Sequence, residues 1–274
     1  MLINCDLHLH TEYSFDSETP VRDMIEGSIK KGLKLICITD HYDRDYPIKG
    51  GVITQNAINC EKYYDHISGL REEYKDKIDV RIGIEVGFQP WLGEFYHELV
   101  NKVPFDMVIG SMHVISGGEP YFREIFGGRT DEDVYYDNFV ETLENIDKCW
   151  DFDVLGHIDY IVRYGDEQDK YYSYERFAPE IDKLLKRLIE VGKGIELNTS
   201  GFKYGLPFPH PHPDIIKRYK ELGGEILTIG SDAHIPSHIA YDYHRVGEVL
   251  DYAGFKYYTE FKDRKPNFVK IYTK

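Results

Sequence analysis

A chain of 274 residues can bury a large core, and its 42% apolar and 30% charged residues describe a globular protein rather than a disordered one. The formal charge of −15 excludes the basic face that grips nucleic acid, although bound cations can reverse the field locally for a small anionic substrate. No apolar run reaches the ~20 residues of a membrane span. The N-terminal residues lack a secretory signal, and Cys5, Cys37, Cys60 and Cys149 are too scattered for a disulfide framework, so the expected location is the cytoplasm.

In chain order, β-branched runs alternate with amphipathic stretches. Strands are expected at 3–6, 35–39, 80–85, 107–111, 154–156, 195–198 and 226–230, short and rich in Val and Ile, as in a parallel sheet buried on both faces. Thr19-Pro20 reads as a helix start with Pro at the first helical position, and Thr130 with Asp133 as a capping box. Ile181, Leu184, Leu185, Leu188 and Ile189 form one helical stripe, and helices are expected to stop at Gly32, Gly192, Gly223 and Gly254.

Seven strand–helix units without a linker point to one domain over residues 1–274, closed as a barrel rather than opened as a doubly wound sheet. Helix-to-strand links are short, whereas 42–58, 114–129, 158–173 and 199–213 are long loops after strands. They mark the C-terminal face of the strands as the functional face.

Metal-ligand residue types recur on that face. The first strand runs into Asp6-Leu7-His8-Leu9-His10, where residues two apart share a side, so His8 and His10 can grip one ion. The next strand ends are Thr39-Asp40-His41, Ile84-Glu85, Ser111-Met112-His113, Gly156-His157-Ile158-Asp159 and Ser231-Asp232-Ala233-His234. A lone strand-end His is usually just solvated. Six of seven strands ending in His, Asp or Glu at one rim point to a metal cluster.

The ordered set Asp-x-His-x-His, Thr-Asp-His, Ile-Glu-Val-Gly, Gly-Ser-Met-His, Gly-His-Ile-Asp and Gly-Ser-Asp-Ala-His resembles the polymerase and histidinol phosphatase superfamily, from residue 6 to about residue 240. The segments around Arg163 and Asn198-Thr199-Ser200-Gly201 resemble its histidinol-phosphate phosphatase branch. The resemblance implies a distorted (β/α)7 barrel with two to three divalent ions (zinc, manganese or iron). It implies a first ion on His8, His10, Glu85 and Asp232, and a second on Glu85, His113 and His157. A third would lie on His41 and His234, with Asp16 standing where some relatives carry a His. A hydroxide bridging the metals, held by way of Glu85, His113 and His157, would attack phosphorus; no residue is singled out as general acid. Asp6, Asp40 and Asp159 are expected to orient the ligating imidazoles, with a purely structural role for Asp6 equally open.

Arg163 matches the branch's phosphate-binding arginine, and a guanidinium fork fits two phosphate oxygens; Lys203 is a second candidate. His210 and His212 lie in a stiff proline-rich loop that can reach the site's mouth, and His238 is undecided, whereas His66, His97 and His244 read as surface residues. Asp43 and Asp45 are expected to form an acidic wall for a substrate amine, with Tyr42 or another loop ring to stack on an imidazole. The implied reaction is hydrolysis of a small phosphate monoester, L-histidinol phosphate, within histidine biosynthesis. The alternatives are a related phosphoesterase acting on nucleotides or other small esters, and a metal-binding homologue without catalysis. A metal amidohydrolase is disfavoured because no strand end offers a lysine to bridge the ions.

Overall fold

The computed structural model describes residues 3–271. Its strands are β1 (Cys5–Leu9), β2 (Leu35–Ile38), β3 (His41–Ile48), β4 (Val52–Asn56), β5 (Asp79–Gly87), β6 (Met107–Ser111), β7 (Val154–Leu155), β8 (Gly194–Asn198), β9 (Leu227–Gly230), β10 (Tyr257–Lys262) and β11 (Lys265–Lys270). The helices are α1 (Val21–Lys30), α2 (Cys60–Tyr74), α3 (Gly93–Val100), α4 (Asp131–Lys148), α5 (Ala178–Glu190), α6 (Ser200–Lys203), α7 (Pro213–Glu221) and α8 (Tyr243–Ala253).

The order β1-β2-β5-β6-β7-β8-β9 is parallel throughout. Backbone hydrogen bonds of 2.9 Å from Asp232 N to His8 O and from His10 N to Ala233 O join the last strand to the first. The result is the expected distorted (β/α)7 barrel, closed at the rim by the residues flanking β1 and β9. Ile36, Ile38, Val80, Ile82, Ile84, Val108, Ile109, Ile195, Leu197, Leu227 and Ile229 are all buried, as a sheet covered on both faces requires. Helices pack with one apolar face inward, clearest in α5, which buries Ile181, Leu184, Leu185 and Leu188 and half-buries Ile189. Thr130 and Asp133 form the capping box of α4, and Gly32, Gly192, Gly223 and Gly254 all take positive φ where helices end.

Two expectations are corrected. The segment 42–58 is not a loop: β3 and β4 pair antiparallel as a hairpin, and His41 at its base pairs parallel with Glu85 of β5. Tyr42, Tyr46 and Ile48 share one parity and Asp43, Asp45 and Pro47 the other, interrupted only by Arg44, before Gly50-Gly51, which is a strand and turn pattern. Pro20 is the N-cap of α1 rather than its first helical residue. A second hairpin, β10–β11, turns at Asp263-Arg264, both with positive φ, and covers the N-terminal end of the barrel. Among the described residues no helix is long and apolar enough to cross a membrane.

Candidate metal centre

Glu85, at the C-terminal end of β5, is the hub. Its Oε2 faces His41 Nδ1 at 2.8 Å, His8 Nε2 at 3.2 Å and His10 Nε2 at 3.5 Å. Its Oε1 faces His157 Nε2 at 3.0 Å and His113 Nε2 at 3.3 Å. Asp232 Oδ1 adds contacts of 3.2 Å to His10 and 3.9 Å to His8. Asp16 Oδ2 lies 3.1 Å from His234 and 3.7 Å from His41. All nine expected ligands therefore meet at one pole. Close atom groupings are His8–His10–Asp232, His8–Glu85–His157, His41–Glu85–His113 and His10–His41–His234. The expected second set, Glu85, His113 and His157, is thus divided between two groupings that share Glu85.

The outer nitrogens of four imidazoles are tied back. His8 Nδ1 lies 2.7 Å from Glu196 Oε1 and His113 Nδ1 2.9 Å from Asp43 Oδ1. His234 Nδ1 lies 3.0 Å from the carbonyl of Asp232. His10 Nδ1 meets Ser14 Oγ at 3.0 Å, and Ser14 donates to Asp40 at 2.6 Å. Carboxylate and carbonyl oxygens only accept, and the Ser14 proton is committed to Asp40. Each Nδ1 therefore carries a proton, which leaves Nε2 as the atom that would bind a cation. His8 Nε2, His10 Nε2, His41 Nδ1, His234 Nε2 and Glu85 Oε2 are buried without a hydrogen-bond partner among the described residues. Buried polar atoms left so are costly, and a cluster of them facing one another fits bound cations.

The carboxylates also act on the rings: against the opposing effect of burial, Glu196 and Glu85 raise His8, Asp16 and Glu85 raise His41, and Asp43 and Glu85 raise His113 above the ordinary imidazole value, so cations would bind here in exchange for protons. Burial opposes ionisation of Glu85, but His8, His113 and His41 outweigh it and hold the carboxyl well below its ordinary range. Burial likewise opposes ionisation of Asp232, and its contact with His10 and the charge of His8 reverse the effect. Burial, with His41 and His234 beside it, pushes His10 well below the ordinary imidazole value.

Sequence reasoning missed Glu196 and misplaced Asp43. Glu196 also accepts from His157 N at 3.1 Å and Asn198 Nδ2 at 3.0 Å. A Cβ on Gly230 would lie 2.4 Å from Glu196 Oε1, and one on Gly87 only 1.7 Å from Asp43 Oδ1, so two glycines make room for these carboxylates. Glycines at strand ends beside ligand motifs were the available signal. Asp43 is buried on His113 and Asp45 bonds Gln55 and Trp91, so they form no acidic wall. Tyr42 packs against Phe95 and Tyr96 away from the cavity.

Of the three aspartates expected to orient imidazoles, Asp40 reaches His10 through Ser14. Asp6 instead accepts from Ser231 N and Ala240 N, both at 2.9 Å, and is structural. Asp159 holds Tyr172, His210 and the backbone of His212, each at 2.7–2.8 Å. His210 is thereby buried beneath the rim and His212 caps α7, so neither reaches the mouth. His66, His97 and His244 are exposed, as expected.

Beside the metal pole opens a cavity of about 520 Å³ whose lining includes Asp16, His41, His113, His157, Asp232, His234 and His238, with the cations Arg163 and Lys203. Interleaved with them are Phe15, Tyr46, Ile48, Tyr121, Phe122, Tyr160, Tyr164, Tyr204 and Ile235, with Glu119; the Phe15 ring centre lies 5.4 Å from that of His41, and the Tyr160 ring centre 4.9 Å from that of His157. Glu119 is half-buried and accepts from Tyr121 N at 2.9 Å; burial raises its pKa.

A model of the PHP domain matches residues 6–200. The histidinol-phosphatase of Lactococcus lactis is 29% identical over 261 residues, 95% of each chain. A probable histidinol-phosphatase of Clostridium acetobutylicum is 32% identical over 239 residues, covering 87% of this chain and 89% of the relative. The crystal structure of histidinol phosphate phosphatase from Lactococcus lactis, complexed with zinc, L-histidinol and phosphate, is similar with a TM-score of 0.86 and 29% identity, covering 96% of this chain and 98% of that one. The chain belongs to the PHP domain family.

Proposed function

From that membership, we infer that the protein is a metal-dependent phosphatase that hydrolyses L-histidinol phosphate to L-histidinol and phosphate, a reaction of histidine biosynthesis. The observation that carries this reading is one cavity whose lining joins the metal-ligand cluster and two cations to a set of aromatic rings and the carboxylate of Glu119. The Lactococcus lactis relative, complexed with zinc, L-histidinol and phosphate, supports it.

His8, His10, Glu85 and Asp232 would hold one ion, Glu85 with His113 and His157 a second, and His41, His234 and Asp16 a third. The donor set of imidazoles and carboxylates fits zinc, manganese or iron(II). Such ions supply Lewis acidity and a nucleophilic hydroxide near neutral pH. The chain's own residues do the rest. Arg163 and Lys203 would bind phosphate oxygens. Glu119 would receive the substrate ammonium, whose charge offsets the cost of a half-buried carboxylate. The tyrosines would cover the imidazole and keep water from it. Nucleotides and sugar bisphosphates bring further anionic groups toward Glu119, which opposes them. The reading treats residues 1–274 as one catalytic domain working in the cytoplasm.

A phosphate-release panel of histidinol phosphate, nucleoside monophosphates and sugar phosphates, run with zinc, manganese and iron(II), tests this reading. The highest kcat/KM is expected for histidinol phosphate. Equal or better turnover of a nucleotide would reject the substrate while leaving the metal centre intact.

A further inference from the structure

Arg163 sits on the turn that follows Asp159, and its surroundings are aromatic rather than acidic. The guanidinium carbon lies 4.1 Å from the ring centre of Tyr204, 4.8 Å from that of Tyr160 and 4.9 Å from that of Tyr164. Nη2 donates to Tyr164 Oη at 2.7 Å. Nε and Nη1 are buried with no hydrogen-bond partner among the described residues.

The two ways of holding a guanidinium differ in what they leave free. A carboxylate partner fixes it by occupying the N–H donors that a phosphate needs. Aromatic faces fix the plane and leave the donors along its edge available. Tyr160 and Tyr164 lie on the same turn as Arg163 and move with it. Tyr204 comes from a different element, the loop after β8, and is the ring that registers this turn against the rest of the rim.

That loop is anchored independently. Arg245 donates to Pro207 O at 2.7 Å and lies 3.6 Å over the ring of Phe202. His210 exchanges backbone hydrogen bonds of 2.7 and 2.8 Å with Asn198. Lys203 Nζ lies 4.9 Å from the centre of the Tyr204 ring, so both cations of the cavity rest on it.

We propose that Tyr204 is a positioning residue for phosphate recognition: its ring aligns Arg163 toward the phosphate without consuming a donor. This rests on the reading of Arg163 as a phosphate-binding residue. Tyr204 is 45% exposed, so its truncation should leave thermal stability nearly unchanged.

The test is a double-mutant cycle on the metal-loaded enzyme, read as inhibition by inorganic phosphate and as kcat/KM for histidinol phosphate. Tyr204→Ala should weaken phosphate inhibition and kcat/KM together by about threefold to thirtyfold, the range of a cation–π contact. Tyr204→Phe keeps the ring and should restore both. In an Arg163→Ala background, Tyr204→Ala should add less than about twofold, because the group it positions is gone. Effects that multiply in the double variant would overturn the inference, as would a Tyr204→Phe variant as impaired as Tyr204→Ala. A silent Tyr204→Ala beside an impaired Arg163→Ala would overturn this inference alone. A silent Arg163→Ala would overturn the phosphate-binding reading beneath it.

Discussion

At the N-terminal end of the barrel, buried carboxylates are closed in by the chain itself. Asp106 accepts from Arg71 at 2.5 Å, from Ile82 N at 2.9 Å and from Asp263 N at 3.2 Å. Asp153 accepts from Val108 N at 2.8 Å and from Arg264 at 2.5 Å, and Arg264 reaches on to Asp151 at 2.9 Å. Three of these contacts, those of Asp263 and Arg264, come from the turn of the β10–β11 hairpin. At the C-terminal end, Glu85 and Asp232 are as deeply enclosed but meet imidazoles, and the inner nitrogens of His8, His10, His41 and His234 lack hydrogen-bond partners among the described residues. The same residue types thus serve opposite purposes. Carboxylates paired with arginine and backbone N–H hold strands together, and carboxylates paired with tied-back imidazoles hold a place for cations.

The comparison breaks most readily at Glu85. Glu85→Gln removes the charge that two of the four groupings share and should lower kcat/KM by about a hundredfold or more, with a matching fall in bound metal. Elemental analysis and steady-state kinetics on the same preparation check this, and full occupancy with normal turnover would end it.

Glu196→Gln sharpens the comparison one layer out. It keeps the size of the side chain but weakens the acceptor that fixes the His8 tautomer. A loss of about tenfold to a hundredfold in metal affinity or turnover is expected. If metal affinity and turnover both stay at wild-type values, Glu196 merely fills space.

The smallest catalytic effect belongs to the opposite end. Arg264→Ala should destabilise the fold by about 2 kcal/mol, less than a fully buried pair because the arginine is partly exposed. For a chain of this size that lowers Tm by about 4–8 °C, with kcat/KM unchanged. Calorimetry and kinetics together decide it: lost activity without lost stability would show that the two ends are not independent.

Much of this was legible in the sequence because buried parallel strands are short, apolar and bounded by polar loops, and because the ligand motifs stand at their ends. The expected run 107–111 coincides with β6, and the other six expected strands match β1, β2, β5, β7, β8 and β9 to within about three residues at each end, whereas β3, β4, β10 and β11 answer to no expected strand. What escaped depends on partners distant in the chain. Glu196 looks like any residue of a buried strand until the fold sets it 188 residues away in sequence from its partner, His8. Asp43 reads as a loop acid until β3 pairs with β5 and turns it onto His113. Asp159 carries the motif of an imidazole-orienting residue but orients His210, because the loop after β8 folds back over it. The Asp263-Arg264 turn lacks the Asn-Gly or Asp-Gly signal of a two-residue hairpin, so the hairpin covering the barrel's floor left little trace.

The central claim, that the C-terminal pole is completed by cations, is tested most directly by removing them. The enzyme would be dialysed against a chelator, its metal content measured, and its Tm and histidinol phosphate turnover followed before and after zinc or manganese is returned. The account predicts that turnover falls with the metal-to-protein ratio, that Tm drops, and that both recover on reloading. A metal-free protein that turns over histidinol phosphate at the original rate would contradict it.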